Sequence, residues 1–267
     1  PSYRVRKAME YADEPPLVFS PLSEEDYCRF YRLEMDAFDR DAGFYLSRLH
    51  ANHHVLELGC GSGRLTRLLA GACKTLTAVD ISSEMIRLAK LHPLPNVCYH
   101  RQDMLEISFG RLFDAIVIPY NTLNLLGSAE SVRTCLRRCR HHLAAGGRLL
   151  FHLYHPDGKI LESQGEKFFQ FTIHTLADGG KLIKETLKSY DGESELLTLE
   201  ERYRDRPQKP GSVNRDLRHV LTLFAPQLHR WQSLLHGSGF TAPLFHGDFD
   251  GAPFIADTTA LLVDASI

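Results

Sequence analysis

The stretch VLELGCGSGR, residues 55–64, places a short apolar run directly before three glycines and the beginning of a helical pattern. Glycine tolerates positive φ angles and allows a ligand to approach the bare backbone. The free backbone amide groups of the helix that follows would face such a ligand. The stretch therefore predicts a strand, a ligand-binding turn and a helix in direct succession.

Two classes of cofactor bind to a glycine turn of this kind. A dinucleotide is recognised by GxGxxG, in which the third glycine seats the pyrophosphate at the helix. Here Gly63 comes one residue too early, and Arg64 takes the place of that third glycine. The acidic side chain of Glu57 would also repel a pyrophosphate, whereas it suits a cationic cofactor. S-adenosylmethionine, which carries an ammonium and a sulfonium group, has the required charge.

Outward from the turn, apolar runs alternate with helical patterns. The predicted strands cover residues 54–58, 75–80, 97–101, 113–119 and 148–154, and the predicted helices cover residues 64–72, 83–91 and 128–143. Strands that alternate with helices favour a parallel, doubly wound α/β sheet. A helix from residue 225 to about 237 and strands at 244–247 and 260–264 complete this pattern.

Two segments do not fit the alternation. Residues 22–49 have helical periodicity, with a cap at Ser23 and a predicted break at 39–41. After Pro156 the chain turns to extended runs separated by the hairpin signals DGG and DGE. These runs cover residues 167–175, 181–190, 196–203 and 218–224.

We therefore predict three parts built around one α/β domain. A Rossmann-like, doubly wound, seven-stranded and mostly parallel sheet takes residues 50–155 plus 226–267. An N-terminal helical cap takes residues 1–49, and an antiparallel β lid insert after the fifth strand takes residues 156–225. Neither addition is expected to fold alone, and both are expected to cover the substrate.

Composition excludes several kinds of protein. Lys and Arg number 31 against 33 Asp and Glu, so the chain lacks the basic footprint of a nucleic-acid binder. No apolar run reaches about 18 residues, and the beginning lacks the apolar block of a signal peptide. The six cysteines are scattered, which indicates free thiols, and CxxC and HExxH spacings are absent. We expect a cytoplasmic protein with no metal, membrane or nucleic-acid partner.

Several motifs together resemble those of the class I S-adenosylmethionine-dependent methyltransferases. ELGCGSGR, residues 57–64, is similar to their first motif, and AVDIS, residues 78–82, ends the second strand on Asp80. QDM follows the third strand at residues 102–104. FDAIVIP at 113–119 and LAAGGRL at 143–149 resemble the fourth-strand motif and the loop before the fifth strand. The resemblance covers residues 29–155 well and 226–267 more loosely.

The resemblance implies S-adenosylmethionine as the cofactor and S-adenosylhomocysteine as its product. In that family the acid at Asp80 accepts both ribose hydroxyls, and the acid at Asp103 takes the adenine amino group. An early tyrosine reaches the methionine end, for which Tyr31 and Tyr45 are candidates, with core packing as the alternative. The implied cofactor-binding residues are Tyr31, Tyr45, Glu57, Gly59, Cys60, Gly61, Arg64, Asp80, Ile81, Met85, Gln102, Asp103, Met104 and Pro119. Arg64 is expected to meet the methionine carboxylate or to lie on the surface.

Methyl transfer from a sulfonium depends mainly on proximity and orientation, with a base in some enzymes. The segment after the fourth strand, IPYN, departs from the [DNS]PP[YFW] motif of amino-methyltransferases of DNA, so that activity is not carried over. Tyr120 and Asn121 are candidates to line the substrate pocket, unless Asn121 only caps a helix. His152 and Tyr154 point to one face of the fifth strand, and either His152 or the following His155 is a candidate base, with a hydrogen-bonded structural histidine as the alternative.

The insert resembles the lid of small-molecule N-methyltransferases, including those for glycine and for sugar amines. Arg202, Tyr203 and Arg204 either contact an acidic substrate or simply alternate between the faces of a strand. The favoured function is methyl transfer to a nitrogen or oxygen of a small molecule. One alternative is a displacement within S-adenosylmethionine that releases methylthioadenosine and a cyclised amino acid. Another is a non-catalytic cofactor-binding protein, and the sequence leaves a homodimer open.

Overall fold

The computed structural model describes residues 18–163, 165–255 and 258–267. The predicted N-terminal cap begins with 17 residues that lie outside this described part. The expectation that the chain lacks a signal peptide concerns the same residues. No described helix is both long and apolar enough to cross a membrane. All six cysteines are free thiols, five of them buried.

The described residues form seven α-helices and one 3-10 helix. The α-helices are α1 (Glu24–Met35), α2 (Ala42–Leu46), α3 (Arg64–Ala70), α4 (Ser83–Ala89), α5 (Ala129–His142), α6 (Gly158–Glu162) and α7 (Leu228–Gly237). The 3-10 helix covers Thr122–Leu126. The Ser23 hydroxyl accepts the Asp26 backbone N–H at the start of α1, so the predicted cap is present. Helix α1 ends at Met35 and α2 begins at Ala42, which is where the sequence predicted a break.

The same residues form twelve β-strands. These are β1 (Ser20–Pro21), β2 (His54–Leu58), β3 (Thr75–Asp80), β4 (Val97–Arg101), β5 (Phe113–Ile118), β6 (Leu143–Tyr154), β7 (Phe168–Thr175), β8 (Lys181–Asp191), β9 (Leu196–Arg206), β10 (Arg215–Phe224), β11 (Thr241–His246) and β12 (Ala260–Ser266). They divide into a seven-stranded and a five-stranded sheet.

The seven-stranded sheet has the order β11-β12-β6-β5-β2-β3-β4. Its strands β6, β5, β2, β3 and β4 are parallel, and β12 and β11 are added antiparallel. The predicted α/β class and the mostly parallel, doubly wound sheet are thereby confirmed. The order reverses between β2 and β5, and ligands of doubly wound sheets bind beyond the carboxyl ends of strands at such a point.

Helices cover this sheet on both faces, so its central strands are apolar almost throughout. On one face Cys135 and Leu136 of α5 and Trp231 of α7 pack on Ile116 and Phe151. On the other face α2 and α3 contribute a second buried cluster that includes Phe44, Tyr45, Leu65 and Leu69. A rigid, close-packed sheet of this kind holds the loops at its edge in fixed positions.

The five-stranded sheet, which we call the lid, has the order β1-β10-β9-β8-β7. Strands β7 to β10 form an antiparallel meander, as the hairpin signals predicted. Two features were not predicted from sequence. Strand β10 begins at Arg215 and not at residue 218 as predicted, because Arg215 is already paired with Asp205 across the β9–β10 hairpin. Residues Ser20–Pro21 add a short parallel strand beside β10, too short to leave a periodic signal.

The inner face of the lid is turned toward the seven-stranded sheet. It carries the even-numbered residues of β8 and the odd-numbered residues of β9, since side chains of a strand alternate between faces. Glu201 and Tyr203 of β9 are buried there, whereas Arg202 is exposed on the outer face. Arg202 and Arg204 lie over the ring of Phe19 on that outer face. The structure therefore does not support a substrate contact for these two arginines.

Candidate active site

The glycine turn lies at the carboxyl end of β2. Gly59 has a φ of +75°, and a Cβ atom there would collide with the side chain of Thr122. Gly61 has a φ of +53°, and a Cβ there would make only van der Waals contacts, 3.8 Å from Tyr31 Cε1 and 4.0 Å from Met85 Sδ. Both positions need glycine for their left-handed backbone. At Gly61 the missing side chain also leaves room for a ligand.

Asp80 ends β3 and braces this turn. Its Oδ2 accepts the backbone N–H of Gly61 at 2.8 Å, and its Oδ1 accepts that of Ser82 at 2.9 Å. Burial raises the pKa of Asp80, and the hydrogen bonds from backbone amides offset part of this effect. The carboxylate thus holds the turn in place while it lines the cavity beside it.

The cavity beside Asp80 has a volume of about 340 Å³ and is called the cofactor cavity here. Of the residues predicted to bind the cofactor, the structure brings nine to its wall: Tyr31, Gly59, Gly61, Asp80, Ile81, Met85, Gln102, Asp103 and Met104. Asp103 also caps its own loop, where it accepts the N–H of Leu105 at 2.9 Å. The segments after β2, β3 and β4 therefore converge at one edge of the sheet.

A small neighbouring cavity of about 20 Å³, called the narrow extension here, is lined by Glu57 and shares Tyr31, Gly59, Tyr120 and Thr122 with the cofactor cavity. It adds Glu57, Cys60, Arg64 and Pro119, which were also predicted to bind the cofactor. Glu57 is fully buried, and its Oε2 accepts the Thr66 hydroxyl at 2.6 Å. Its Oε1 has no hydrogen-bond partner in the described part of the protein. Burial raises the pKa of Glu57 to about 8.

This carboxyl group provides the test of whether S-adenosylmethionine fits the site. A buried, unpartnered carboxylate oxygen is costly unless a cation or donor meets it. An ammonium group placed in the narrow extension would satisfy Oε1 and favour the ionised form of Glu57. Together with the room that Gly61 leaves and the carboxylate of Asp80, the residues present fit the cofactor that the motifs imply.

Two of the predicted cofactor ligands are positioned differently from the expectation. Tyr45 is fully buried, packs edge-on against Phe44 and lines none of the described cavities. We therefore assign it to the core, the alternative considered for it. Arg64 lines the narrow extension, but both of its terminal nitrogens bind Asp41, at 2.7 and 2.6 Å, and one also donates to the Phe38 carbonyl. The terminal nitrogens of Arg64 thus already form hydrogen bonds within the protein. The expected bond from Arg64 to a methionine carboxylate has no support.

Tyr120 and Asn121 follow β5 in a left-handed backbone conformation. Their φ angles are +44° and +61°, which are uncommon for residues with side chains and occur where the surrounding structure enforces them. The Asn121 N–H donates to the His152 carbonyl at 3.1 Å and so fixes the segment against β6. Asn121 precedes the 3-10 helix, but its side chain makes no capping hydrogen bond, and its buried Oδ1 has no partner among the described residues.

A second large cavity, of about 420 Å³, lies between the lid and the seven-stranded sheet and is called the acceptor cavity here. Asn121 and Tyr154 line it from the sheet, and Lys184, Lys188 and Glu201 line it from the lid. Burial raises the pKa of Tyr154 to about 12, so its hydroxyl stays protonated at neutral pH. The two cavities have four lining residues in common: Tyr27, Tyr31, Tyr120 and Leu125.

His152 is set apart from the other predicted catalytic residues. It is buried, lines none of the described cavities and lies against the rings of Tyr120, at 5.9 Å, and Phe249, at 5.0 Å. Burial lowers its pKa to about 4, and nearby Arg64 adds to this effect. The imidazole is therefore neutral at physiological pH. The described cavities do not reach His152, whose ring lies between those of Tyr120 and Phe249, so a role as a base gains no support from them.

Sequence reasoning missed the charged residues of the acceptor cavity. Lys184 contacts Glu34 of α1 at 2.9 Å and Glu201 of β9 at 2.8 Å. Tyr27, one helical turn before Tyr31, was also missed, although the i, i+4 spacing would have indicated it. Within the described ranges, no group of three or more His, Cys, Asp or Glu side chains could hold a metal ion.

Comparisons with known proteins bear on the fold and on the class of domain. The family model described as a methyltransferase domain matches residues 55–147. The putative methyltransferase YqeM of Bacillus subtilis is 32% identical over 148 residues, which are 54% of this chain and 57% of YqeM. The dTDP-3-amino-3,6-dideoxy-alpha-D-glucopyranose N,N-dimethyltransferase of Streptomyces fradiae is 24% identical over 175 residues, 64% of each protein. The chain thus aligns with less than two thirds of the length of these two relatives.

Among solved structures, CalS10 of Micromonospora echinaspora, an amino pentose methyltransferase with bound S-adenosylmethionine, is similar over 96% of this chain and 100% of its own. The TM-score is 0.70 at 20% sequence identity, a likeness of fold. The fold and the glycine turn define a class I S-adenosylmethionine-dependent methyltransferase domain. Residues 55–147 match the methyltransferase-domain model, and S-adenosylmethionine is the cofactor bound in CalS10, which shares this fold.

Proposed function

We propose that the protein transfers the methyl group of S-adenosylmethionine to a nitrogen or oxygen of a small-molecule acceptor. The observation that carries this proposal is the shared wall of the cofactor and acceptor cavities at Tyr27, Tyr31, Tyr120 and Leu125. A direct displacement requires the two reactants to meet in line at such a junction. The lid closes the acceptor cavity to a volume suited to a small molecule rather than to a polymer.

The residues of the cofactor cavity have separate tasks in this proposal. Asp80 accepts the ribose hydroxyls, the segment Gln102–Met104 holds the adenine, and Glu57 receives the ammonium group. Bound in this way, S-adenosylmethionine supplies an electrophilic methyl group on its sulfonium. The backbone at Gly61 allows the close approach that binding requires.

The residues at the junction orient the acceptor. Tyr120 lines the cofactor cavity, the acceptor cavity and the narrow extension, so its ring separates the two reactants except along the path of transfer. Asn121 Oδ1, buried and unpartnered within the described chain, accepts an N–H or O–H of the acceptor and turns the lone pair toward the methyl group. Tyr154 lines the same cavity and excludes water. Neutral His152 supports the ring of Tyr120 from behind.

The kind of acceptor atom is suggested by two of the similar proteins. The Streptomyces fradiae relative is named as an N,N-dimethyltransferase of an amino sugar nucleotide, and CalS10 as an amino pentose methyltransferase. Both names refer to amines. We accordingly favour nitrogen over oxygen as the methylated atom. We also propose that the predicted division of the chain into cap, sheet domain and lid holds.

Calorimetry tests the cofactor assignment. We expect micromolar binding of S-adenosylmethionine to the wild-type protein and its loss in Asp80→Ala. Glu106→Ala is the matched control, because Glu106 is an exposed acid close to Asp103 and lies outside the cavity wall. Equal binding by the wild type and Asp80→Ala, with unchanged unfolding midpoints, would show that the ribose assignment is wrong.

Product analysis tests the reaction. Incubation with S-adenosylmethionine and a panel of amines and alcohols should yield S-adenosylhomocysteine only when an acceptor is present. Methylthioadenosine formed without any acceptor would instead support the intramolecular displacement. Binding without turnover across the whole panel would support a non-catalytic role.

A further inference from the structure

Lys188 lies on the inner face of the lid, where β8 passes over the acceptor cavity. Its side chain lines this cavity, as do those of Lys184 and Thr186 on the same strand. In the sheet register its neighbours are Leu199 on β9 and Phe168 on β7. The adjacent strands therefore place apolar side chains, and no carboxylate, directly beside Lys188 among the described residues.

The charges on the cavity wall leave Lys188 without a direct ion pair among the described residues. Four charged side chains line the cavity: Glu34, Lys184, Lys188 and Glu201. Lys184 pairs with both glutamates, at 2.9 and 2.8 Å, and Glu201 also accepts the Tyr203 hydroxyl. Lys188 has no ion-pair or hydrogen-bond partner within the described part of the chain. Burial lowers the pKa of Lys188 and repulsion from Lys184 acts in the same direction, while the charges of Asp157 and Glu201, neither of which forms an ion pair with it, have smaller opposite effects.

The remaining wall, as far as the chain is described, supplies no anion either. It consists of Leu197, Leu199, Leu221 and Leu223 and of uncharged polar residues such as Gln170 and Thr172. An ammonium group partly removed from water is costly without a charged partner, and pairing with an anion through charge-assisted hydrogen bonds offsets that cost. The cavity is therefore complementary to a ligand that has both a negatively charged group and an apolar surface.

We propose that the acceptor is an anion whose carboxylate or phosphate group pairs with Lys188. The leucines of β9 and β10 contact the apolar part of the same molecule. The inference rests on the proposed function, because it names the chemical class of acceptor for that site. It places the recognition of acidic substrates on the inner face of β8 and not on Arg202 and Arg204 of the outer face.

Matched pairs of probes test the proposal on the protein loaded with S-adenosylhomocysteine. The pairs are glucosamine 6-phosphate with glucosamine, and phenylalanine with phenylalaninamide, each titrated by calorimetry. In at least one pair the anionic member should bind about tenfold or more tightly than its partner. Lys188→Met should abolish this preference and Lys188→Arg should keep it. Lys181→Met is the matched control, since Lys181 is exposed on the same strand and contacts Thr175.

The outcomes separate the inference from the proposed function. Failure of S-adenosylhomocysteine to bind would contradict the proposed function itself. Normal binding of S-adenosylhomocysteine, combined with equal affinity within both pairs or with no anionic probe bound, would overturn only the role of Lys188. The role of Lys188 is likewise overturned if Lys188→Met keeps the preference or if Lys181→Met loses it. The glucosamine and phenylalanine pairs distinguish a phosphate from a carboxylate as the preferred anion.

Discussion

The ammonium group of Lys184 in the lid lies 2.9 Å from the carboxylate of Glu34 on helix α1. The same ammonium lies 2.8 Å from Glu201 on the neighbouring strand, so one lysine joins the N-terminal helix to the lid across the acceptor cavity. Burial alone would lower the pKa of Lys184, but the two carboxylates outweigh it and raise that pKa. The acceptor cavity is thus enclosed by an ion-pair network as well as by apolar packing.

We predict that Lys184→Met lowers the free energy of unfolding by about 1–3 kcal/mol, because it leaves Glu201 buried without its charged partner. Lys167→Met is the matched control. It removes an exposed ion pair with Glu200, for which a loss below about 1 kcal/mol is expected. Denaturant unfolding of both variants measures the difference. Equal losses would show that the Lys184 network does not hold the lid to helix α1.

The effect of Lys184→Met should also depend on pH. Burial tends to raise the pKa of Glu201, but the hydrogen bond to His219 and the charge of Lys184 lower it below its ordinary value. A carboxyl group with a lowered pKa in the folded state stabilises the protein above its unfolded pKa and loses that effect as the pH falls. The stability gap between the wild type and Lys184→Met should therefore be constant near neutral pH and shrink as the pH falls below about 5. A gap that widens on acidification would contradict this assignment.

Glu57 should behave in the opposite way in the protein without cofactor. Its folded pKa of about 8 lies above that of an unfolded glutamate, so the folded state keeps a proton that the unfolded state releases. The stability of the wild type relative to Glu57→Gln should then fall from about pH 5 to about pH 8 and stay constant above that. Thermal unfolding at a series of pH values measures it. A pH-independent difference between the two proteins would remove the evidence for a protonated Glu57.

The same carboxyl group links cofactor binding to proton release. If the ammonium of S-adenosylmethionine pairs with Glu57, the bound state favours the ionised form, and binding near neutral pH releases a proton. The binding enthalpy should differ between phosphate and Tris buffers in proportion to their ionisation enthalpies. Affinity should rise with pH toward about pH 8 in the wild type more steeply than in Glu57→Gln. The variant corrects for titration of the ligand itself, and identical pH profiles would place the ammonium elsewhere.

The cofactor cavity was largely predictable from sequence, whereas only the sheet side of the acceptor cavity, with Tyr120, Asn121 and Tyr154, was. Gly59, Gly61, Asp80 and Asp103 each lie at or just after the end of a strand, and parallel strands bring their carboxyl ends to one edge whatever the rest of the chain does. The face that each lid strand presents depends on a register set by hairpins and by contact with helix α1. A shift of the pairing register by one residue moves every side chain of a strand to the opposite face of the sheet. The sequence alone therefore did not show that Glu201 faces the cavity and that Arg202 faces away from it.

Tyrosines illustrate the same limit within one segment. Tyr31 and Tyr45 have similar apolar neighbours in the sequence, yet Tyr31 lines the cofactor cavity and Tyr45 lies in the core. The difference arises because helix α2 packs on α3 beneath the sheet, whereas α1 lies beside the lid. Whether a tyrosine lines the cavity or lies in the core depends on how whole helices pack. This packing is not visible in the sequence next to the tyrosine.

Gly61 offers the most direct test of where the cofactor lies. A Cβ atom at this position contacts only Tyr31 and Met85, at 3.8 and 4.0 Å, so Gly61→Ala fits the protein without cofactor but occupies space that a bound cofactor would need. Gly146 is the matched control, since it has a φ of +76° and nothing within 4 Å of its added Cβ. Both substitutions should cost about 1–2 kcal/mol of stability through their left-handed backbone. Only Gly61→Ala should weaken S-adenosylmethionine binding, by about tenfold or more, because a methyl group displaces the ligand from the backbone it approaches. Calorimetry on both variants decides the matter, and equal affinities would mean that the cofactor does not pass over Gly61.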